Sequence, residues 1–202
     1  MLAEFLFTAI LIELTPGPNM TWLALLGAAR ARLTALAAVA GVSLGLAIAG
    51  LAAALGVSTL ISTTPWLFQA LRWAGALYLL YLAWDSWHRT NEFHDGNFED
   101  SRLRYFGQGL VSNTLNPKAY LVYAAILPQF IIAGQNLLTQ LFSLTVLYVA
   151  VATFIHSAIA LLAGSLYSFF SSPVRARSLG RIFALLLVGV AFWFFYATEM
   201  KL

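Results

Sequence analysis

The sequence contains no cysteine in its 202 residues. This absence excludes disulfide bonds, thiolate metal sites and thiol–disulfide chemistry. Charged residues are also scarce, at 9% compared with about 25% in an average soluble domain. With 61% of the residues hydrophobic, a soluble fold of this size could not hide its apolar surface. The composition therefore predicts an all-α integral membrane protein whose solvent is the lipid bilayer.

Several sequence signatures of other functions are missing as well. No G-x-x-x-x-G-K-[ST] segment is present, so the chain contains no nucleotide-driven pump. The histidines are His88, His94 and His156, whereas a metal transporter should offer clustered ligands within its spans. No Ser/His/Asp arrangement indicates an enzyme, and no feature indicates nucleic-acid binding. We expect no cofactor and no metal, and a function driven by an ion gradient or by the solute's own gradient.

Six apolar stretches are long enough for transmembrane helices, which need roughly 20 residues each. They cover residues 5–29, 33–61, 66–87, 106–132, 137–170 and 182–198. No Lys or Arg precedes the first stretch, so we expect a retained span rather than a cleaved signal peptide. The second and fifth stretches exceed the required length, so we expect them to tilt or to extend past the membrane.

Most of the positive charge lies between spans one and two, three and four, or five and six. These positions hold eight of the eleven Lys and Arg residues, namely Arg30, Arg32, Arg89, Arg102, Arg104, Arg175, Arg177 and Arg181. Lys201 alone lies on the other side. The positive-inside rule places the Arg-rich loops in the cytoplasm and both termini outside. We interpret the polar segment 88–105 as a cytoplasmic loop.

The three spans on either side of this loop contain a weak internal repeat. An offset of 99 residues superposes Thr15 on Thr114 and Pro18 on Pro117. Because each half has an odd number of spans, homologous halves would have opposite orientations in the membrane. We predict a single membrane domain over 1–202, with inverted three-helix repeats at 1–87 and 106–202. Its first and fourth helices would be broken, each roughly 17–20 Å into a core about 30 Å thick.

The two breaks are the strongest sequence indication of a functional site. Proline removes a helical N–H group and clashes with the carbonyl group four residues earlier. Such freed backbone groups are tolerated in a membrane where they line a cavity, and paired broken helices are typical of substrate sites in transporters. A structural kink is the alternative. The candidate residues are Thr15, Pro16, Gly17, Pro18, Asn19, Asn113, Asn116, Pro117 and Lys118.

Ionisable residues lie close to both breaks. Lys118 falls near the middle of span four, where a charge is costly, and could hold a substrate carboxylate, pair with an acid or change protonation. Glu13, one turn before the first break, could accept a proton or hold a substrate ammonium group. Together they would complement a free amino acid; the alternative is a buried ion pair. Glu13 and His156 are candidates for a proton relay, although His156 could equally be structural.

Two further features lie in spans two and three. Gly41 and Gly45 form a Gly-x-x-x-Gly step, which indicates close helix packing within the chain and also permits a homodimer. Arg72 and Asp85 lie near opposite ends of span three, where we expect both side chains to reach the membrane interfaces.

The segments Thr15-Pro16-Gly17-Pro18-Asn19 and Asn116-Pro117-Lys118-Ala119 resemble the two signature motifs of the LysE/RhtB family of amino-acid exporters. The length and the six-span layout are similar to that family over essentially the whole chain. The resemblance implies a bacterial inner-membrane protein that exports amino acids or close derivatives against proton influx. It also implies functional roles for the residues that match the motifs, which are Pro16, Gly17, Pro18, Asn116, Pro117 and Lys118.

Two other hypotheses remain open from the residues themselves. The first is an exporter of another small solute, such as a metal ion or an organic cation, although the shortage of ligands disfavours a metal. The second is a membrane scaffold without transport activity, which would leave the charge of Lys118 within the membrane unexplained.

Overall fold

The computed structural model describes residues 2–15, 17–30, 32–88, 98–165 and 173–197. All regular structure in these ranges is helical. In the first half, α1 (Leu2–Leu14) is followed by α2 (Pro18–Ala29), α3 (Arg32–Ala54), α4 (Val57–Thr63) and α5 (Pro65–His88).

The second half begins with a helix that is also interrupted. Helix α6 (Phe98–Thr114) is followed by the short helix α7 (Pro117–Leu121), a π-helical turn (Val122–Ile126) and a 3-10 turn (Leu127–Phe130). The long helix α8 (Leu137–Gly164) and the helix α9 (Pro173–Ala197) complete it.

Both predicted interruptions are present. Helix α1 ends at Leu14 and α2 begins at Pro18, after Gly17 in an extended conformation. Helix α6 ends at Thr114 and α7 begins at Pro117, where the Asn116 side chain accepts a hydrogen bond from the Lys118 backbone N–H group. Proline is favoured at a first helical position because its missing N–H group has no intrahelical partner there. The prolines that end one helix therefore also start the next.

Three predicted boundaries differ from the structure. The second span, predicted as one long helix, turns at Gly56, whose φ of 82° suits glycine best because it has no Cβ. Segment 88–105 was predicted as a loop, yet α6 is helical from Phe98. Helix α9 likewise begins at Pro173 rather than at 182. Apolar composition marks the membrane-embedded part of a helix, whereas polar turns can extend the same helix beyond it.

Helix α3 lies at the centre of the fold and packs against both α6 and α8. A Cβ atom added at Gly41 would lie 2.0 Å from the carbonyl oxygen of Phe106, and one at Gly109 would lie 2.2 Å from that of Ala38. The backbones of α3 and α6 approach this closely because both glycines lack side chains. The Gly-x-x-x-Gly step therefore packs within the chain, as its first interpretation predicted.

This contact predicts opposite effects for two glycines of α6. Changing Gly109 to alanine should lower the free energy of unfolding by about 1–3 kcal/mol, because the new methyl group meets backbone atoms that cannot move aside. Gly107→Ala is the matched control, since a Cβ there meets no atom within 4 Å. Its higher helix propensity should raise stability by up to about 1 kcal/mol. Thermal unfolding in detergent measures both, and equal midpoints would contradict the close packing.

The described helices expose large apolar side chains that a bilayer would cover. By length and composition, Arg32–Ala54 and Leu137–Gly164 can each cross a membrane as single helices, with a mean hydropathy of 2.2. A shorter apolar segment covers Arg181–Trp193. On α8, Phe142, Phe154 and Leu162 are 72–76% exposed. Apolar surface of this extent is typical of contact with lipid or with another protein.

Two charged residues of α5, which were expected near the membrane interfaces, are buried against other parts of the protein. Asp85 is 8% exposed and contacts Arg104 and Gln108 of α6. Arg72 is 3% exposed and donates a hydrogen bond to Gln69 over 2.9 Å. Polar side chains from neighbouring turns and helices form hydrogen bonds with the two buried charges. The position of a residue along its own helix does not reveal such partners.

Candidate functional site

A polar cavity lies where the two broken helices meet. Its empty volume is about 350 Å³, and both halves of the chain contribute to its wall. The residues that line it are Glu13, Gly17, Asn19, Met20, Leu46, Asn113, Asn116, Lys118, Ala119, Tyr148 and His156. The fold thus brings together most of the side chains that the sequence singled out, although they come from segments about a hundred residues apart.

Lys118 bridges the two breaks. Its ammonium Nζ donates hydrogen bonds to the carbonyl oxygens of Ile12 over 2.8 Å and of Thr15 over 3.3 Å. These carbonyl groups lie at the carboxyl end of α1, where the helix dipole favours a cation. The Ile12 carbonyl is one that the following prolines deprive of its helical donor. The Thr15 N–H group also donates to this carbonyl, over 3.2 Å, so Lys118 of the second half adds a second, shorter hydrogen bond at the break in the first half.

Glu13 has different partners. Its side chain is 6% exposed and accepts a hydrogen bond from the Tyr148 hydroxyl group, while His156 Nε2 lies 3.3 Å from the other carboxylate oxygen. Within the described residues, Glu13 and Lys118 line one cavity without forming an ion pair with each other. The direct ion pair of the alternative interpretation is not formed between these two residues, because each charged group contacts other partners.

An amide network joins α2 to α6 at the cavity. Asn19 Nδ2 donates to Asn113 Oδ1 over 2.7 Å, and the Ser112 hydroxyl group donates to Asn19 Oδ1 over 2.8 Å. Asn113 Nδ2 and His156 Nδ1 are buried polar atoms that have no hydrogen-bond partner in the described part of the chain. Buried polar groups without partners are rare, and at a cavity they are available to a ligand or to water.

Some predicted residues serve the site through the backbone or lie away from it. The Thr15 hydroxyl group donates to the Leu11 carbonyl on the exposed side of α1, so only the Thr15 carbonyl contacts Lys118. Pro18 and Pro117 are buried and start α2 and α7, but neither lines the cavity. Pro16 lies outside the residues that the structure describes.

Four cavity residues were missed by the sequence analysis. They are Met20, Leu46, Ala119 and Tyr148. Tyr148 could have been found, because it lies eight residues before His156 and residues at that spacing share a helix face. The three apolar residues carry no such signal. Their role at the cavity depends on how α2, α3 and α7 pack.

The cavity thus combines an ammonium group, a carboxylate, amide groups and a short apolar wall, as a small zwitterion would require. The identity of the chain follows from its relatives. Residues 10–198 match the model of the LysE type translocator. The chain belongs to the LysE family. The resemblance seen in the two proline motifs is thereby confirmed, and the protein is a membrane transporter, not an enzyme or a scaffold.

LysE-family relatives match most of the chain. The homoserine/homoserine lactone efflux protein of Salmonella typhimurium is 30% identical over 89% of this chain and 88% of its own length. The leucine efflux protein of Klebsiella pneumoniae is 33% identical over 80% of this chain and 77% of its own. A leucine efflux protein of an Enterobacter species is 39% identical over 61% of this chain and 60% of its own. No solved structure matches the chain.

Proposed function

We propose that this LysE-family transporter exports amino acids or close derivatives from the cytoplasm by proton antiport, with the substrate bound in the cavity between the two breaks. The observation that carries the proposal is that Lys118 and Glu13 line one cavity without pairing with each other. Each charged group can therefore meet a charge of the substrate. A free amino acid carries both charges on groups attached to one carbon atom.

The apolar wall supports a substrate with an uncharged side chain. Met20, Leu46 and Ala119 line the same cavity as the charged residues and add no further charge. The names of two relatives specify homoserine and leucine, whose side chains are both uncharged. We infer the same class for this chain, since an apolar wall would leave a charged side chain without a partner.

Proton coupling would involve Glu13. Tyr148 and His156 contact its two carboxylate oxygens, and all three residues are at most 5% exposed. A carboxylate in contact with an imidazole inside the membrane is typical of proton relays in transporters. Protonation from outside would then alternate with substrate binding from inside. His156 would share the proton with Glu13.

The proposed architecture is six spans in two inverted repeats. Helices α1 and α2 together, α3 with α4, and α5 would form the first three spans; the segment from α6 to the 3-10 turn, α8 and α9 would form the others. The matched positions of Pro18 and Pro117 at the starts of α2 and α7 support this arrangement. We place the protein in the bacterial inner membrane, with Arg-rich loops in the cytoplasm and both termini outside.

Efflux from proteoliposomes tests the proposal. Vesicles that contain the protein are preloaded with homoserine, leucine, lysine or an organic cation, and efflux is compared with and without a pH gradient. Preloaded vesicles without the protein serve as the control. One pH unit supplies about 1.4 kcal/mol per proton, which supports about a tenfold concentration ratio of substrate. We expect gradient-stimulated efflux of homoserine and leucine. Movement of the organic cation alone would instead favour another class of solute.

A further inference from the structure

A second cavity lies beside the first, at the Arg-rich end of the helices. Helices α2, α5, α6 and α9 form its wall, and its empty volume of about 360 Å³ is similar to that of the first cavity. The residues that line it are Trp22, Leu26, Ala29, Arg30, Leu82, Asp85, Ser86, Tyr105, Gln108 and Phe183. Like the first cavity, it combines charges of both signs with an apolar wall.

The two cavities follow the same pair of helices. On α2, Met20 lines the first cavity and Leu26 the second, which corresponds to about 9 Å along the axis. On α6, Asn113 lines the first cavity and Gln108 the second, and the two residues are about 8 Å apart along the helix axis. A solute leaving the second cavity along these helices would reach the first.

The barrier between the cavities is thin and partly polar. The hydrogen bond between Asn19 and Asn113 crosses from α2 to α6 at the first cavity. Trp22 and Leu23 follow on α2 and are no more than 1% exposed. A hydrogen-bonded amide pair and one buried helix turn thus separate the two cavities, so passage of a solute would require both to move.

The polar part of the second cavity is centred on Asp85. Arg104 and Gln108 both donate hydrogen bonds to one of its carboxylate oxygens, Gln108 over 3.2 Å. The side chain of Arg104 is 25% exposed and that of Asp85 is 11% exposed. The guanidinium groups of Arg104 and Arg30 each lie 5.7 Å from the centre of the Tyr105 ring. Asp85 is thus the inner partner of the ion pair, and Arg104 is the outer one.

This geometry suits the insertion of a zwitterion. An ammonium group that replaces Arg104 at Asp85 preserves one ion pair, and the released guanidinium group can bind the accompanying carboxylate as a second pair. No net charge enters the cavity, so the electrostatic penalty of burying an isolated charge is avoided. The aromatic ring of Tyr105 can hold the displaced guanidinium group by a cation–π contact.

We propose that the second cavity is an access site for the exported amino acid, where Asp85 exchanges Arg104 for the ammonium group of the substrate. The inference rests on the proposed function and adds a binding site on the cytoplasmic side of the transport cavity. Substrate would bind here first and then pass along α2 and α6 to Lys118 and Glu13. While the site is empty, the pair of Asp85 with Arg104 holds α5 against α6.

The absence of native cysteine allows a direct test, because a single introduced thiol reacts without background. Ser86→Cys reports on the second cavity and Met20→Cys on the first. The full-length protein in proteoliposomes is labelled with a membrane-impermeant thiol reagent. Homoserine or leucine is added as the substrate whose binding should protect the thiol. At ten times its dissociation constant, bound substrate should slow labelling of Ser86→Cys about tenfold. Asp85→Asn should remove this protection, and Asp85→Glu should retain part of it.

Lys118→Ala distinguishes the two sites. We expect this change to abolish protection of Met20→Cys and to leave that of Ser86→Cys intact. If Lys118→Ala removes the protection of both introduced cysteines, the substrate occupies a single site and the access site does not exist. Protection of Met20→Cys without any protection of Ser86→Cys would overturn the access site and leave the proposed function standing. Failure of every amino acid to protect Met20→Cys would instead count against the proposed function itself.

Discussion

Replacing Lys118 by alanine is expected to abolish amino-acid efflux from proteoliposomes. The change removes the ammonium group that would bind the substrate carboxylate and that now satisfies the Ile12 and Thr15 carbonyl groups. Lys118 and the substrate carboxylate would form a buried, hydrogen-bonded charge pair, and truncating one member of such a pair costs about 2–5 kcal/mol of binding free energy. This cost corresponds to a loss in efflux rate of about 30-fold to several thousand-fold. Initial rates of efflux of homoserine or leucine measure the loss.

Two conservative variants separate binding from folding. Lys118→Met retains the apolar stem and should be as inactive as Lys118→Ala, while eluting as a monodisperse, folded protein. Lys118→Arg keeps the charge and should retain partial efflux, because its larger planar head cannot reproduce both carbonyl contacts. If Lys118→Met transports at the wild-type rate, the ammonium group binds no substrate and its role is only to join the two breaks.

Replacing Glu13 by glutamine is expected to uncouple transport from the proton gradient. Glutamine has nearly the same shape but cannot bind and release a proton at any accessible pH. Exchange of substrate across the membrane should persist at a reduced rate, because the amide oxygen can still accept a hydrogen bond from the substrate ammonium group. The stimulation by a one-unit pH gradient, about tenfold at most, should disappear. Counterflow of labelled leucine and gradient-driven efflux, measured in the same vesicles, report the two activities separately.

Controls for Glu13 are available on the same helix and at its partner. Glu4→Gln alters an exposed carboxylate of α1 and should leave coupling unchanged. Tyr148→Phe removes the hydroxyl donor but not the titratable group, so gradient stimulation should weaken without vanishing. Complete loss of exchange as well as coupling in Glu13→Gln would mean that substrate binding requires the negative charge of Glu13 and not only a hydrogen-bond acceptor. Full retention of both would contradict any role in transport.

The breaks between α1 and α2 and between α6 and α7 could be predicted because their cause is local. Proline cannot continue a helix, and it favours the first helical position wherever it stands. The same reasoning explains why the Ile12 carbonyl, four residues before Pro16, lacks its α-helical donor. The structure supplies Lys118 Nζ to this carbonyl at 2.8 Å. The turn at Gly56 and the helical start at Phe98 were not predicted, because several conformations suit those residues equally well.

The partners of the charged residues could not be predicted from spacing. Glu13 and Lys118 line one cavity, but the donor to the Glu13 carboxylate is Tyr148, which lies 135 positions later in the chain. Asp85 pairs with Arg104 of another helix, a partner that its position in α5 does not indicate. Such contacts depend on which helices pack together and on their rotation about their axes. A one-residue change in that rotation, about 100°, would exchange every partner.

The sequence by itself determined the class of protein, the positions of the two breaks and the family, because composition, proline and short motifs act locally. Only the tertiary structure decided that Glu13 joins Tyr148 and His156, that Lys118 closes the end of α1, and that a second charged cavity follows the first. Those arrangements arise from the close approach of α3 to α6 at Gly41 and Gly109 and from the packing of α1 on α8. Interhelical distances of this kind are set by the summed fit of many side chains, which no single segment of sequence encodes.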